Sequence, residues 1–89
     1  MELPEGVVDE VLTRLRRIEG QVRGLQQMIT DGRECKDVVT QIAAANKALE
    51  QVGFVLVAEG LTWCLRHPEE SAAAGYDPAD VQKMFLKLA

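Results

Sequence analysis

Residues 34 to 67, ECKDVVTQIAAANKALEQVGFVLVAEGLTWCLRH, contain no proline and are rich in strong helix formers, so they read as one long helix. Cys35 stands near one end and Cys64 near the other. At ~1.5 Å per residue they lie about 43 Å apart on a straight helix, so they cannot meet within one chain unless the helix breaks. Around the axis they nevertheless fall within about 20° of each other, on the side that carries Val38, Ile42, Leu49, Leu56 and Gly60. Two cysteines on one apolar face, at opposite ends, point to an antiparallel helix pair in which each Cys35 meets Cys64 of the partner subunit. Facing positions then sum to about 99, which sets Ile42 near Val57, Ala45 near Phe54 and Leu49 near the dyad.

The rest of the chain must cover this helix. Residues 1 to 6 read as an irregular lead, because Pro4 and Gly6 oppose helix there. From about Val7 to Thr30, Val8, Val11, Leu12, Leu15, Ile18, Val22, Leu25, Met28 and Ile29 recur at helical steps and predict an amphipathic first helix. Gly20 and Gly24 lie opposite its apolar face. Asp31-Gly32 is a stop signal, with Gly32 suited to the left-handed conformation, and the long second helix is expected to start near Arg33. Pro68 ends it near His67. Residues 68 to 77, PEESAAAGYD, read as a connector. Asp77 as N-cap and Pro78 in the first turn open a short last helix, PADVQKMFLKLA, with Val81, Phe85 and Leu88 on one side. The expected fold class is all-α: a three-helix protomer with a long central second helix, forming a single domain over residues 1–89. The third helix is too short to cover the second, which leaves apolar surface for another chain.

Composition narrows the function. A net charge of −4 by itself argues against a nucleic-acid partner, and an aromatic content of 4% provides no base-stacking surface. The opening MELPEGVVDEVL is acidic, unlike a secretory leader, and the apolar run GFVLVA is stopped by Glu59, so no membrane span is expected. The expected location is cytoplasmic, where paired cysteines are more often free, metal-binding or redox-active than locked in a disulfide. The basic residues are unevenly spread. Arg14 and Arg17 lie on one border of the first helix's apolar face, Arg16 and Arg23 on the other. The plain reading of such arginines is a snorkelling helix edge, and that of buried cysteines is inert packing.

The stretch RLRRIEGQVRGLQQMITDGRECKDVVTQIAAANKALEQVG resembles the CsoR/RcnR family of bacterial repressors. The most specific parts are RLRRIEGQVRG at residues 14 to 24 and DGRECKDVVTQI around Cys35, and the likeness covers nearly the whole chain. It implies an all-helical dimer assembling into a dimer-of-dimers tetramer, operator DNA bound without a helix-turn-helix, no enzymatic activity, and release of DNA when an inducer reaches the cysteines. It also places DNA contacts at Arg14 and Arg17, with Arg16 and Lys47 as further candidates. The family's copper sensors use a Cys-His-Cys set that falls here on Cys35, Gly60 and Cys64, and Gly60 has no ligand atom. Nickel and cobalt sensors have histidines where this chain has Leu3 and Cys64, and formaldehyde sensors have a proline where it has Glu2. The dithiol without the histidine is most similar to the persulfide-sensing branch, CstR.

On that likeness the inducer is a persulfide or polysulfide, and no cofactor is needed. One thiolate takes up sulfane sulfur, the other attacks it, and an intersubunit Cys35–Cys64 di- or polysulfide bridge forms. Cys35, near a helix N-terminus and flanked by Arg33 and Lys36, is the expected nucleophile, with Cys64 as the resolving thiol. The alternative is a copper(I)-responsive repressor in which Cys35 and Cys64 hold the metal, with His67 as the candidate third ligand. Glu34, Glu59 and Asp80 are candidates for outer positions. A thiol oxidoreductase would want a CxxC pair, which the sequence lacks.

Overall fold

The computed structural model describes residues 1–89, and its regular elements are helices alone: α1 Glu5–Thr30, α2 Cys35–Arg66, α3 Pro68–Ala73 and α4 Pro78–Leu88. The protomer therefore has four helices, one more than the sequence pattern predicts. The connector at residues 68 to 77 is where the pattern falls short. Pro68 opens α3 without an amide to satisfy, and Gly75, at φ 83°, closes it. The Gly75 and Tyr76 amides donate back to the carbonyls of Ala72 and Ser71, at 3.2 and 2.7 Å. The Ser71 side chain is fully buried, and its hydroxyl donates to the Pro68 carbonyl at 3.2 Å.

The other boundaries shift by a residue or two. α1 starts at Glu5 because the Pro4 carbonyl accepts from the amides of Val7 and Val8, at 3.0 Å each. Gly6 sits in that first turn, where a helix loses little by it. The α1–α2 turn closes with Gly32 at φ 71°. Its amide donates to Ile29, and that of Arg33 donates to Met28. Arg33 thus finishes α1, and α2 begins at Cys35. At the far end Asp77 and Asp80 form a reciprocal capping box: the Asp80 amide donates to the Asp77 carboxylate at 2.9 Å, and the Asp77 amide to that of Asp80 at 3.1 Å.

α2 runs unbroken for 32 residues, about 48 Å at ~1.5 Å per residue. It is long and apolar enough to cross a membrane, with mean hydropathy 1.3 over its most apolar window. The other helices pack along it, and Lys47, Glu50 and Glu59 interrupt it. α1 folds back along it and encloses Val11, Ile18 and Val52, with Val7, Ala48, Val55 and Leu56 around them. α4 covers another flank. Val81 is buried, Phe85 meets Phe54 with ring centroids 5.7 Å apart, and Leu88 lies over Gly53. A Cβ at Gly53 would come within 2.6 Å of a Leu88 methyl, so a side chain there would push the Leu88 side chain aside.

The result is a slab of 54 × 25 × 14 Å. Its radius of gyration is 16.8 Å, against about 12 Å for a compact chain of this length. The surface of 6516 Å² is about 1,300 Å² more than a compact monomer of 9.8 kDa presents. Leu12, Leu15, Val22 and Ile29 of α1 and Val39, Ile42, Leu49, Leu61 and Leu65 of α2 are exposed. The α2 face read as a dimer seam is partly used up within the protomer. Ala45 is already buried, Leu56 packs on the α1–α2 cluster, and Gly60 faces Met84 and Tyr76.

Candidate sensor thiols and basic groove

Both cysteines are free thiols in very different settings. Cys35 is the first residue of α2 and is exposed; Cys64 lies two residues before its end and is 4% exposed. Because α2 does not break between them, the two thiols of one chain stay a helix length apart. No group of three or more His, Cys, Asp or Glu side chains converges within the protomer.

One turn before Cys64, α2 is covered by α4 and by the residues after α3. Gly60, at that turn and on the same side of α2, is buried. A Cβ built there would stand 3.7 Å from the Met84 methyl and 3.9 Å from a Tyr76 ring carbon. Tyr76 also packs edge-on against Trp63, with centroids 5.7 Å apart and planes at 83°. His67 does not extend α2. It caps the helix with non-helical backbone (φ −135°, ψ 64°), and its ring lies 6.4 Å from that of Trp63. Of the candidate outer residues, Asp80 is committed to the capping box, and Glu59 lines an open cavity with Met1, Glu2, Trp63, Arg66 and His67. Met84 and Tyr76 were not singled out in the sequence. The signal for Met84 was its position three residues after Val81, which puts it on the packed side of α4.

The arginines are only partly brought together. Arg14 and Arg17 line one shallow groove between α1 and α2, with Gln21 and Gln51 beside them. Arg14 is also held by Glu10, Nε to Oε1 at 3.3 Å, and both side chains are well exposed. Arg16 is on the opposite flank of α1. Lys47 is about 140° around α2 from the buried Val52, away from α1. Within one protomer Arg16 and Lys47 thus stand apart from the Arg14–Arg17 pair.

Comparison with known proteins decides what this arrangement belongs to. Residues 8–87 match the metal-sensitive transcriptional repressor family. The chain belongs to that family. The metal-sensitive repressors are not enzymes, and membership implies operator DNA and an oligomeric state. Over 69 residues the chain is 42% identical to the copper-sensing transcriptional repressor RicR of Mycobacterium tuberculosis, covering 78% of this chain and 72% of RicR. Over 80 residues it is 37% identical to the copper-sensing transcriptional repressor CsoR of Bacillus subtilis, covering 90% of this chain and 79% of CsoR. An uncharacterized protein of Bacillus subtilis, YrkD, is 34% identical over 61 residues, 68% of this chain and 92% of YrkD. No solved structure matches the chain significantly. Both named sensors among these relatives are copper sensors, which supports the copper alternative over the persulfide reading.

Proposed function

We propose that this protein is a cytoplasmic, homo-oligomeric DNA-binding repressor whose inducer is Cu(I), held between Cys35 of one protomer and Cys64 of the partner subunit. The likeness to two copper-sensing repressors carries the choice of metal. The donor set suits it: thiolates are soft ligands, and Cu(I) is content with few of them. The unbroken α2 supports the intersubunit arrangement, since one chain cannot bring its own two thiols together. The exposed apolar side chains of α1 and α2 support the oligomer, and the total surface in excess of a compact monomer, about 1,300 Å² per chain, leaves room for the ~800 Å² a standard interface takes from each partner. Arg14 and Arg17 bind operator phosphates, and their repetition around an oligomer lets an acidic chain present a basic surface. Arg16 and Lys47 reach DNA only where the assembly brings other copies of those residues into the same surface. Cys35 and Cys64 of the partner subunit, at opposite ends of α2, would hold the metal across the subunit interface, and its binding there would lower affinity for the operator.

A second reading is kept because of Gly60. Gly60, one turn before Cys64 on the same side of α2, has no donor atom, and a dithiol alone suffices for sulfane-sulfur chemistry. The Cys35 thiolate attacks the outer sulfur of a persulfide and releases the donor's thiolate. Cys64 of the partner subunit then attacks Cys35's own sulfur and expels hydrosulfide. The two thiols are oxidised to a disulfide, and the sulfane sulfur is reduced to sulfide.

Intact mass spectrometry of the reduced protein under anaerobic conditions, after separate exposure to Cu(I) and to a persulfide donor, separates the readings. Stoichiometric Cu(I) retained against a chelator, with no covalent dimer, is the expected result. A crosslinked dimer with Cu(I) weakly held would replace copper by reactive sulfur. Neither product would remove both inducers.

A further inference from the structure

Met84 brings a thioether to the end of α2 that carries Cys64. Met84 belongs to α4, one turn after the buried Val81, on the side that covers α2. Its methyl group comes within 3.7 Å of where a side chain at Gly60 would begin. Gly60 and the buried Cys64 are one helical turn apart on the same side of α2. The space over Gly60, one turn before Cys64, is therefore lined from α4 by a thioether, whose sulfur is one bond from that methyl.

We propose that Met84 is a Cu(I) ligand, completing a three-sulfur site with Cys64 and with Cys35 of the partner subunit. This rests on the copper reading above. A thioether is a soft donor of the kind that selects Cu(I). It is neutral, so it adds a bond to the metal without adding charge to a partly buried site that already holds two thiolates. Of the nearby harder donors, the Asp80 carboxylate accepts the Asp77 amide, and His67 stands outside α2, as its non-helical cap, with an exposed ring. The ligand set then spans α2 and α4 of one chain and α2 of the next. Metal would fix α4 against α2, in addition to joining the subunits.

The test uses the reduced, full-length oligomer under anaerobic conditions. Cu(I) is titrated against a chromogenic chelator for the wild type and for Met84→Leu, and methyl-labelled methionine spectra of the wild type are followed as metal is added. Leucine conserves volume, so the fold is retained. Met84→Leu should hold Cu(I) about ten-fold or more weakly, the scale on which even outer partners of a metal site act. In the wild type the Met84 methyl signal should move as the first equivalent binds. Equal affinities, or a weakened variant with the wild-type Met84 signal unmoved, would overturn the ligand assignment and leave copper bound by the cysteines alone. Failure of the wild type to compete with the chelator would overturn the copper reading itself, and Met84 with it.

Discussion

Cys35 and Cys64 differ most in access. Cys35 opens α2 in solvent, whereas Cys64 is enclosed at the other end. A small alkylating reagent at limiting dose should modify Cys35 first, read by peptide mass mapping; earlier modification of Cys64 would contradict this order. Asp77 makes a second prediction. Its carboxyl is held below the ordinary 3.8, chiefly because it accepts the Asp80 backbone amide. A carboxyl lowered by folding adds stability that is present above its unfolded value and is lost as pH falls through the folded one. Docking of α4 should therefore loosen at acid pH, seen in Trp63 emission through its packing on Tyr76. Asp77→Asn keeps a competent cap and should flatten that acid limb. For DNA, Arg17→Ala should weaken operator binding and lower the salt dependence while leaving the oligomer intact, read by binding titrations at several salt concentrations. Unchanged affinity would remove Arg17 from the interface. At this scale the sequence placed the thiols at the two ends of α2 and Arg14 beside Arg17, because spacing on a helix is a local property. Met84 was hidden because its role depends on α4 returning over a glycine.

Among the elements, α2 was legible throughout: absence of proline, helix-forming composition and Pro68 as a stop fix it to within two residues at each end. α3 was missed because alanines, a serine and two glutamates show no apolar period. Its signals were the proline at its start and the glycine after its end. The division of the α2 face between α1, α4 and solvent was equally out of reach, since the wheel shows which residues share a side but not what covers them. The glycines test this division. Nothing approaches a Cβ built at Gly20, so Gly20→Ala should stabilise by about 0.5–1 kcal/mol. At Gly53 the new methyl meets Leu88, and overpacking of about 1 kcal/mol or more should cancel that gain. Urea denaturation at one fixed protein concentration compares the two.

The whole molecule is a thin slab with only eight buried residues, and it leaves thirteen large apolar side chains exposed. Ile42 and Leu49 lie in the exposed strip of α2, 41% and 51% accessible. Leu49→Glu should dissociate the assembly and lower its thermal midpoint, as measured by light scattering and calorimetry at matched concentration. A variant that stays fully associated would move the interface elsewhere. Shape also explains why a small acidic chain could be read as a DNA-binding protein only through its family: net charge is a property of one copy, and a binding surface belongs to the assembly.

The unbroken α2 has one more consequence, for genetics. If each sensor is made from the head of one chain and the tail of another, Cys35→Ala and Cys64→Ala each disable both sensors of a homodimer. A mixed dimer of the two defective chains pairs the intact Cys64 of one with the intact Cys35 of the other. A cell carrying both defective alleles should therefore regain part of the response that neither allele supports alone.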